Sequence, residues 1–458
     1  MIEQRVEPDG AHPRSAELIE APAPAVADGR ASTRARWLGL LVLLAILVGA
    51  GLRVWGAAQG GEVADVAAYR THVQITAVQG RNVYLSEIRY PYFPGWLGVE
   101  LAVWALSQAL KTPFWWLIRL TIVAADVLAC FAVWWAARRA GGPVRGRWAA
   151  ALYALSPIAI LISGHHGQFD ALPTLFAVLA AGLLLGPTPR PAASGLLLGL
   201  AMALKPSPAL LVPVFMRAPG LSWRGRLALG ALAGAVVLAV SAPYLLVDPA
   251  SVYRNVVGYP GLNDQGLGGL LRALWLYRAN NIHLPGTFGV DITTTTRWTA
   301  LALVAFALLA LWRWPVPRVA AAAYLAFLSV FGGVSTQYLV WPLAWLLISD
   351  LPLRWAVLYS LGATAGAVGF YMVYWPQLLI PGKWAVPAVQ NVRLFVAGQA
   401  LSLLAIWATF AAALAPGLRR GGWRRPVLWL SLLVLLATAY PVAVQVVWLA
   451  SQWIKFRG

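Results

Sequence analysis

The 458-residue chain is 60% hydrophobic and only 11% charged, with a mean hydropathy of +0.69. It carries a net charge of +19 and a single cysteine, Cys130. These values exclude an ordinary soluble domain and an intramolecular disulfide, and the basic excess does not signal nucleic acid, because the arginines cluster in short gaps between apolar runs, as the positive-inside rule expects.

Residues 1–36 read as a disordered cytoplasmic tail, rich in Pro, Ala, Glu and Arg and without apolar period. Apolar runs then recur to Trp453, several reaching the ~20 residues that cross a ~30 Å hydrocarbon core. Arg30, Arg34 and Arg36 hold the N-terminus inside, so residues 37–55 cross outward. The next inside signal is Arg138, Arg139, Arg145 and Arg147. Only one of the two intervening apolar stretches can then cross. Residues 115–137 cross, and 94–110 lie along the outer interface within a long first loop, where many Trp suit a juxtamembrane helix. Onward, 148–163 goes out, 170–186 returns to Arg190, and 193–204 goes out. Lys205-Pro206-Ser207-Pro208 turns the chain, because proline ends the helix, and 209–217 returns. Residues 227–247, 297–312, 319–332, 338–349, 355–375, 392–415 and 427–450 complete the count. The fold class is an all-α polytopic membrane protein of about thirteen transmembrane segments, N-terminus inside and C-terminus outside.

After residue 30 the acids are Glu62, Asp65, Glu87, Glu100, Asp126, Asp170, Asp248, Asp264, Asp291 and Asp350. A carboxylate near a bilayer centre costs about 2.5–3.5 kcal/mol, so each needs a reason to be there. In this topology Glu62, Asp65, Glu87, Asp170, Asp248, Asp264 and Asp291 all fall on the outer face, with His72, His165, His166, His283 and Lys205. Asp65 reads equally as a helix-start cap and as a functional acid. The run Gly164-His165-His166-Gly167-Gln168-Phe169-Asp170 offers hydrogen bonds to a substrate; two adjacent His without fixed ligand spacing make a metal the weaker reading. Lys205 at an outer turn suits a phosphate at headgroup depth, or snorkels there. Ser335-Thr336-Gln337-Tyr338 supplies neutral polar groups at a segment end.

The chain resembles the GT-C superfamily of integral-membrane glycosyltransferases from Trp37 to about Ser349. It is most similar to bacterial polyprenyl-phosphate-sugar enzymes and to mannosyltransferases using dolichyl-phosphate mannose. The resemblance rests on Asp65 with Tyr69, Gly80 and Tyr84, on Tyr90-Pro91-Tyr92-Phe93-Pro94, on Gly167-Gln168-Phe169-Asp170, on Leu204-Lys205-Pro206 and on Gln337-Tyr338. It divides the chain into the tail 1–36, a catalytic module 37–350 and C-terminal helices 351–458. It implies transfer of a hexose, such as mannose, from a polyprenyl phosphate to a hydroxyl of a glycan, lipid or protein acceptor, at the outer face of a bacterial inner (plasma) membrane. Asp65 is then the base and Asp170 a second catalytic acid. Glu62, Tyr69, Arg89, Tyr90, His165, His166, Gln168, Lys205, Gln337 and Tyr338 are the substrate-binding set. Glu62 and Asp65 stand three apart, whereas many members hold two acids adjacent or one residue apart, so Asp65 is the better base. No cofactor is required, since Lys and Arg can neutralise the phosphate; a divalent metal is compatible. The rival reading is a transporter or flippase of a lipid-linked or anionic substrate, which predicts ionisable groups near mid-bilayer and repeated halves.

Overall fold

The structure, a computed structural model, describes residues 29–62, 65–279, 288–379 and 391–419. Residues 1–28 of the expected tail and the expected last segment, 427–450, lie outside the described residues. The helices, in order, are α1 (Gly29–Gly60), α2 (Asp65–Val73), α3 (Pro94–Leu110), α4 (Phe114–Ala154), α5 (Pro157–Ile160), α6 (Ala171–Leu184), α7 (Pro191–Leu204), α8 (Val212–Met216) and α9 (Trp223–Leu245). After these come α10 (Pro249–Val256), α11 (Gly266–Ala279), α12 (Phe288–Ala310), α13 (Val316–Val330), α14 (Trp341–Ile348), α15 (Arg354–Tyr374) and α16 (Val392–Arg419). Proline stands at the first turn of α3, α5, α7, α8, α10, α13 and α14. Its fixed φ suits that position and its missing N–H is no loss there. Among the described residues the only bridge of β type joins Gln265 and Val334.

Among the described residues, six helices are long and apolar enough to cross a membrane: α1, α4, α9, α12, α15 and α16. Shorter apolar helices cover 171–184, 191–204, 207–216, 316–330 and 336–348, where the expected shorter crossings fall. Helix α1 starts at Gly29, ahead of the expected boundary at Trp37.

Helix α4 contains two of the expected segments as antiparallel arms. Gly141 and Gly142 leave helical geometry, Gly142 at φ +85°, and Pro143 starts the second arm. A side chain is strained at such a φ; glycine is not. A Cβ at Gly146 would lie 2.8 Å from the Trp134 carbonyl, so the arms touch backbone to backbone. Both outer ends of α4 therefore reach the same end of the bundle, and α1 packs along them.

One buried ion pair joins these three rods. Arg53 and Asp126, 0% and 1% exposed, meet at Nε···Oδ2 2.6 Å. Arg53 Nη1 also donates to the Ala154 carbonyl at 2.6 Å and to that of Gly49 at 3.0 Å. Tyr153 donates to Asp126 Oδ1 at 2.8 Å and Ser163 to Oδ2 at 2.7 Å. A charge this far from water persists only when it is paired and its other lone pairs are satisfied.

The opposite end is bound by arginines. Arg139 donates to the Gly182 carbonyl, Arg145 to that of Leu351, Arg217 to those of Trp312 and Trp314, and Arg318 pairs with Asp350 at 2.6 Å. Each takes up helix-end carbonyls or a helix-end acid that would otherwise go unpaired. Leu40, Leu43, Leu44 and Leu47 of α1 and Leu238 of α9 are exposed, as side chains facing lipid tails should be.

Two predictions follow from this architecture. Arg145 and His166 sit at opposite ends of the α4 arms, and the arginine end is expected in the cytoplasm. With Cys130 buried and replaced by Ala, single cysteines at 145 and 166 should label from opposite sides, 145 from the cytoplasm; labelling of both from one side would overturn the arrangement. Asp126→Leu leaves Arg53 buried without its partner and should destabilise the fold by about 3–5 kcal/mol. The double variant Arg53→Met/Asp126→Leu should recover much of that loss in detergent thermal unfolding, and equal loss in single and double variants would deny the pairing.

Candidate functional site

Asp65 opens α2 and lies beside a tightly built loop. Helix α5 runs into a wide π-helical turn, Leu161–His166, which Gly167 ends at φ +79°. A Cβ at Gly167 would lie 2.9 Å from Arg119 Nη1 and 3.0 Å from Val66, so the position admits only glycine. Arg119, fully buried, fixes this loop against the one before α2. Its Nε donates to the Gly61 carbonyl at 2.7 Å, and Nη1 to those of Gly164 and His165 at 2.9 and 3.1 Å. One planar guanidinium thus sets the distance between two loops far apart in sequence.

On this frame Gln168 Nε2 donates to Asp65 Oδ2 at 2.6 Å, and His166 Nε2 stands 2.7 Å from the same oxygen. The Tyr371 hydroxyl lies 2.6 Å from His166 Nδ1. With that hydroxyl donating, the proton of His166 sits on Nε2, toward Asp65. The Asp65 side chain keeps 32% exposure. Burial opposes its ionisation, but His166, Gln168 and the Lys205 charge outweigh that and hold the carboxyl below its ordinary range. It is therefore ionised at neutral pH and able to accept a proton.

Asp170 has a different surrounding. It is completely buried, and Lys205 Nζ lies 2.8 and 2.7 Å from its two oxygens. Trp341 Nε1 donates to Oδ1. Lys205 ends α7 in an extended conformation, which the following Pro206 favours. Its ammonium is ringed by Phe169, Tyr338, Tyr92 and Trp341 at 5.0, 5.5, 5.8 and 5.9 Å from the ring centroids. Cation–π attraction and the carboxylate together offset the cost of burying that charge.

Lys205, Gln337 and Tyr338 line a cavity of about 310 Å³. Leu210, Leu301, Phe327 and Phe331 give it apolar walls, and Arg297 stands among its lining residues, donating to the Tyr259 carbonyl at 2.7 Å. The arrangement is a cation at the polar end of an apolar slot, with an ionised carboxylate nearby.

The remaining expected site residues sit elsewhere. His165 faces away from Asp65, stacking edge-on to Trp55 at 5.2 Å and reaching the Leu378 carbonyl at 3.0 Å. Neighbours on a helical turn diverge, so the adjacent pair cannot serve one ligand. Glu62 pairs with Arg70 at 2.9 Å in a separate groove. Tyr90 is buried against His72. Arg89 is exposed, 5.7 Å over the Tyr259 ring at the cavity side. Tyr69 is buried between Trp96 and Phe169. Sequence reasoning missed Arg119, Trp341 and Tyr371, which lie within apolar runs. It noted Asp264 only as a loop acid. Burial pushes Asp264 up to about 6, against the pull of Arg272 at 3.0 Å and the His166 charge. Among the described residues no three His, Cys, Asp or Glu side chains are grouped to hold a metal ion.

Residues 79–219 match the family described as alpha-(1->6)-mannopyranosyltransferase, N-terminal domain. That span holds Gln168, Asp170 and Lys205; Asp65, Gln337 and Tyr338 lie outside it. The crystal structure of ArnT from Cupriavidus metallidurans in the apo state is similar at 13% identity and a TM-score of 0.43, with 84% of this chain and 78% of that one covered. No curated protein sequence matches the chain. The family match over residues 79–219 and the helical architecture of the described residues agree with the resemblance to membrane glycosyltransferases read from the sequence.

Proposed function

We propose that the protein moves a mannosyl group from a polyprenyl phosphate to an acceptor hydroxyl, at the outer membrane face, by one inverting displacement. The observation that carries this reading is Lys205, which lines an apolar cavity and pairs with Asp170, standing close enough to Asp65 for its charge to help hold that carboxyl ionised beside Gln168 and His166. The choice of mannose follows the family matched over residues 79–219. The outer face follows from the arginines at the opposite end of the bundle.

In this mechanism the polyprenyl chain occupies the apolar slot and its phosphate meets Lys205. Asp170 positions the ammonium and does not touch substrate. The acceptor oxygen attacks the anomeric carbon while Asp65 takes its proton. The sugar–phosphate bond breaks and its electron pair goes to the phosphate. A phosphate is a good leaving group, so a cation beside it matters more than a proton donor. Gln168 and His166 hold the base in place, and Tyr338 and Gln337 contact the donor. This path is built without a metal step, because Lys205 supplies the positive charge.

A transporter predicts uncompensated charges along a path near mid-bilayer. The mid-span charges here, Arg53 and Asp126, are closed on each other.

Two substitutions test the assignment, with a radiolabelled polyprenyl-phosphate mannose donor and an α-(1→6)-linked mannoside acceptor. Asp65→Asn should lower kcat by about 10²–10⁴, the usual contribution of a general base, with donor binding retained. Near-normal transfer in this variant would remove Asp65 from the mechanism. Lys205→Ala should raise the donor KM and slow transfer while the protein still inserts. Donor kinetics equal to the parent's would mean that Lys205 only snorkels to the interface.

A further inference from the structure

A second polar cluster lies behind Asp65, and the transfer step does not use it. Tyr69 and His72 follow Asp65 one and two turns on along the buried face of α2. Across from them α3 buries Glu100 completely, and His72 Nδ1 lies 3.2 Å from its Oε1. The Tyr90 ring stands edge-on to His72 with centroids 4.8 Å apart, and Tyr69 stands 6.5 Å from it. Tyr69 also meets Phe169, beside Asp170 and Lys205. It thus spans from the site to the Glu100 pair.

Five polar atoms in this cluster make no hydrogen bond within the protein: the hydroxyls of Tyr69 and Tyr90, His72 Nε2, Trp96 Nε1 and Glu100 Oε2. All five side chains are at most 2% exposed. An unsatisfied buried polar group costs about 1–3 kcal/mol. Buried groups of this kind are normally bridged by ordered water. Further along α3, Trp104 and Ser107, one and two turns beyond Glu100, line a polar groove of about 450 Å³ with Gln74, Gln108 and Lys111.

We propose that Tyr69, Glu100 and His72, bridged by water, form a proton-release path from Asp65 to this groove. The path rests on Asp65 being the base. After transfer the acceptor's proton is on Asp65, the new bond joins acceptor oxygen to anomeric carbon, and the lipid phosphate has left with the bonding pair. Asp65 must lose that proton before the next turnover. The proton passes along Tyr69 and water to the Glu100 carboxylate, and through His72 to water in the groove; only the proton moves. These residues act through Asp65 and do not touch the reacting atoms.

The charges around Glu100 fit this role. Helix α2 presents His72 and Tyr69, the segment before α3 presents Tyr84 and Tyr90, α9 presents Tyr244 behind Tyr84, and α3 itself presents Trp96. Arg119 is spent on loop carbonyls and Arg70 on Glu62. Burial pushes the Glu100 carboxyl up to about 7, against the pull of His72. The ionised form is the acceptor, so turnover should climb as pH rises through about 7 and level off above it. Asp65, held below the ordinary carboxylate range, contributes no such limb.

The test uses the full chain in nanodiscs, with the mannose donor and acceptor named above and Glu100→Gln, His72→Gln and Asp65→Asn. Glu100→Gln should keep the donor KM, lose on the order of tenfold in kcat and lose the acidic limb. Imidazole, small enough for the groove, should restore part of its rate; His72→Gln should move the same way. Wild-type turnover with an intact limb in Glu100→Gln, or a loss that imidazole does not relieve, would overturn the path while leaving Asp65 as base. Full activity in Asp65→Asn would overturn base and path together. Infrared titration needs no turnover: a protonated-carboxyl band with a midpoint at about pH 7 should be present in the parent and in Asp65→Asn and absent in Glu100→Gln. A parent without that band would also end the proposal.

Discussion

The Arg53–Asp126 pair is the constraint on which the rest of the bundle depends. It neutralises two charges that are sealed from water. In doing so it fixes α1 against both arms of α4 and, through Ser163, against the turn that carries His166. Removing the pair would loosen the three rods that bring Asp65 and His166 together. A buried structural ion pair thus sets the geometry of a site near the end of the bundle.

The site itself separates two aspartates by surroundings alone. Asp65 keeps partial exposure, accepts from Gln168 and meets His166. It is charged and reachable. Asp170 is equally charged in chemistry but sealed by Lys205 and Trp341. It is a counter-ion, and its effect on a ligand passes through the ammonium it holds. A carboxylate that must accept a proton needs an open face; one that must place a cation needs the reverse.

The α4 hairpin explains why the two loops meet. Gly141 and Gly142 reverse the chain, and Gly61 and Asp65 lie at the same end as residues 161–170. Arg119 then ties them through three carbonyls. The arginines at the other end hold helix-end carbonyls and so fix the opposite boundary of the bundle. Arginines held by carbonyls and by Asp350 close one end, and Asp65, Asp170, His166 and Lys205 gather at the other.

Much of this was legible in the sequence. Apolar run lengths gave the helices, because a bilayer demands about 20 apolar residues per crossing. Arginine spacing gave an expected orientation. Scarcity gave the candidates: in so apolar a chain Asp65, Asp170, Lys205 and the His-His-Gly-Gln-Phe-Asp run stand out by type alone. What residue type cannot give is direction. His165 and His166 are adjacent, yet one stacks on Trp55 and the other faces Asp65. Glu62 and Asp65 stand three apart, yet one pairs with Arg70 and the other meets Gln168 and His166. Asp170 and Lys205 pair across the bundle. Trp341 and Tyr371 join the site from runs that read as plain membrane helix. Glu100 looked like an interruption in an interfacial helix and is instead half of a buried pair. The sequence by itself determined which segments are helical and where the ionisable groups had to be explained, since both follow from local hydropathy. Only the tertiary structure decided which of those groups meet, because side-chain direction and partner depend on how separate helices pack.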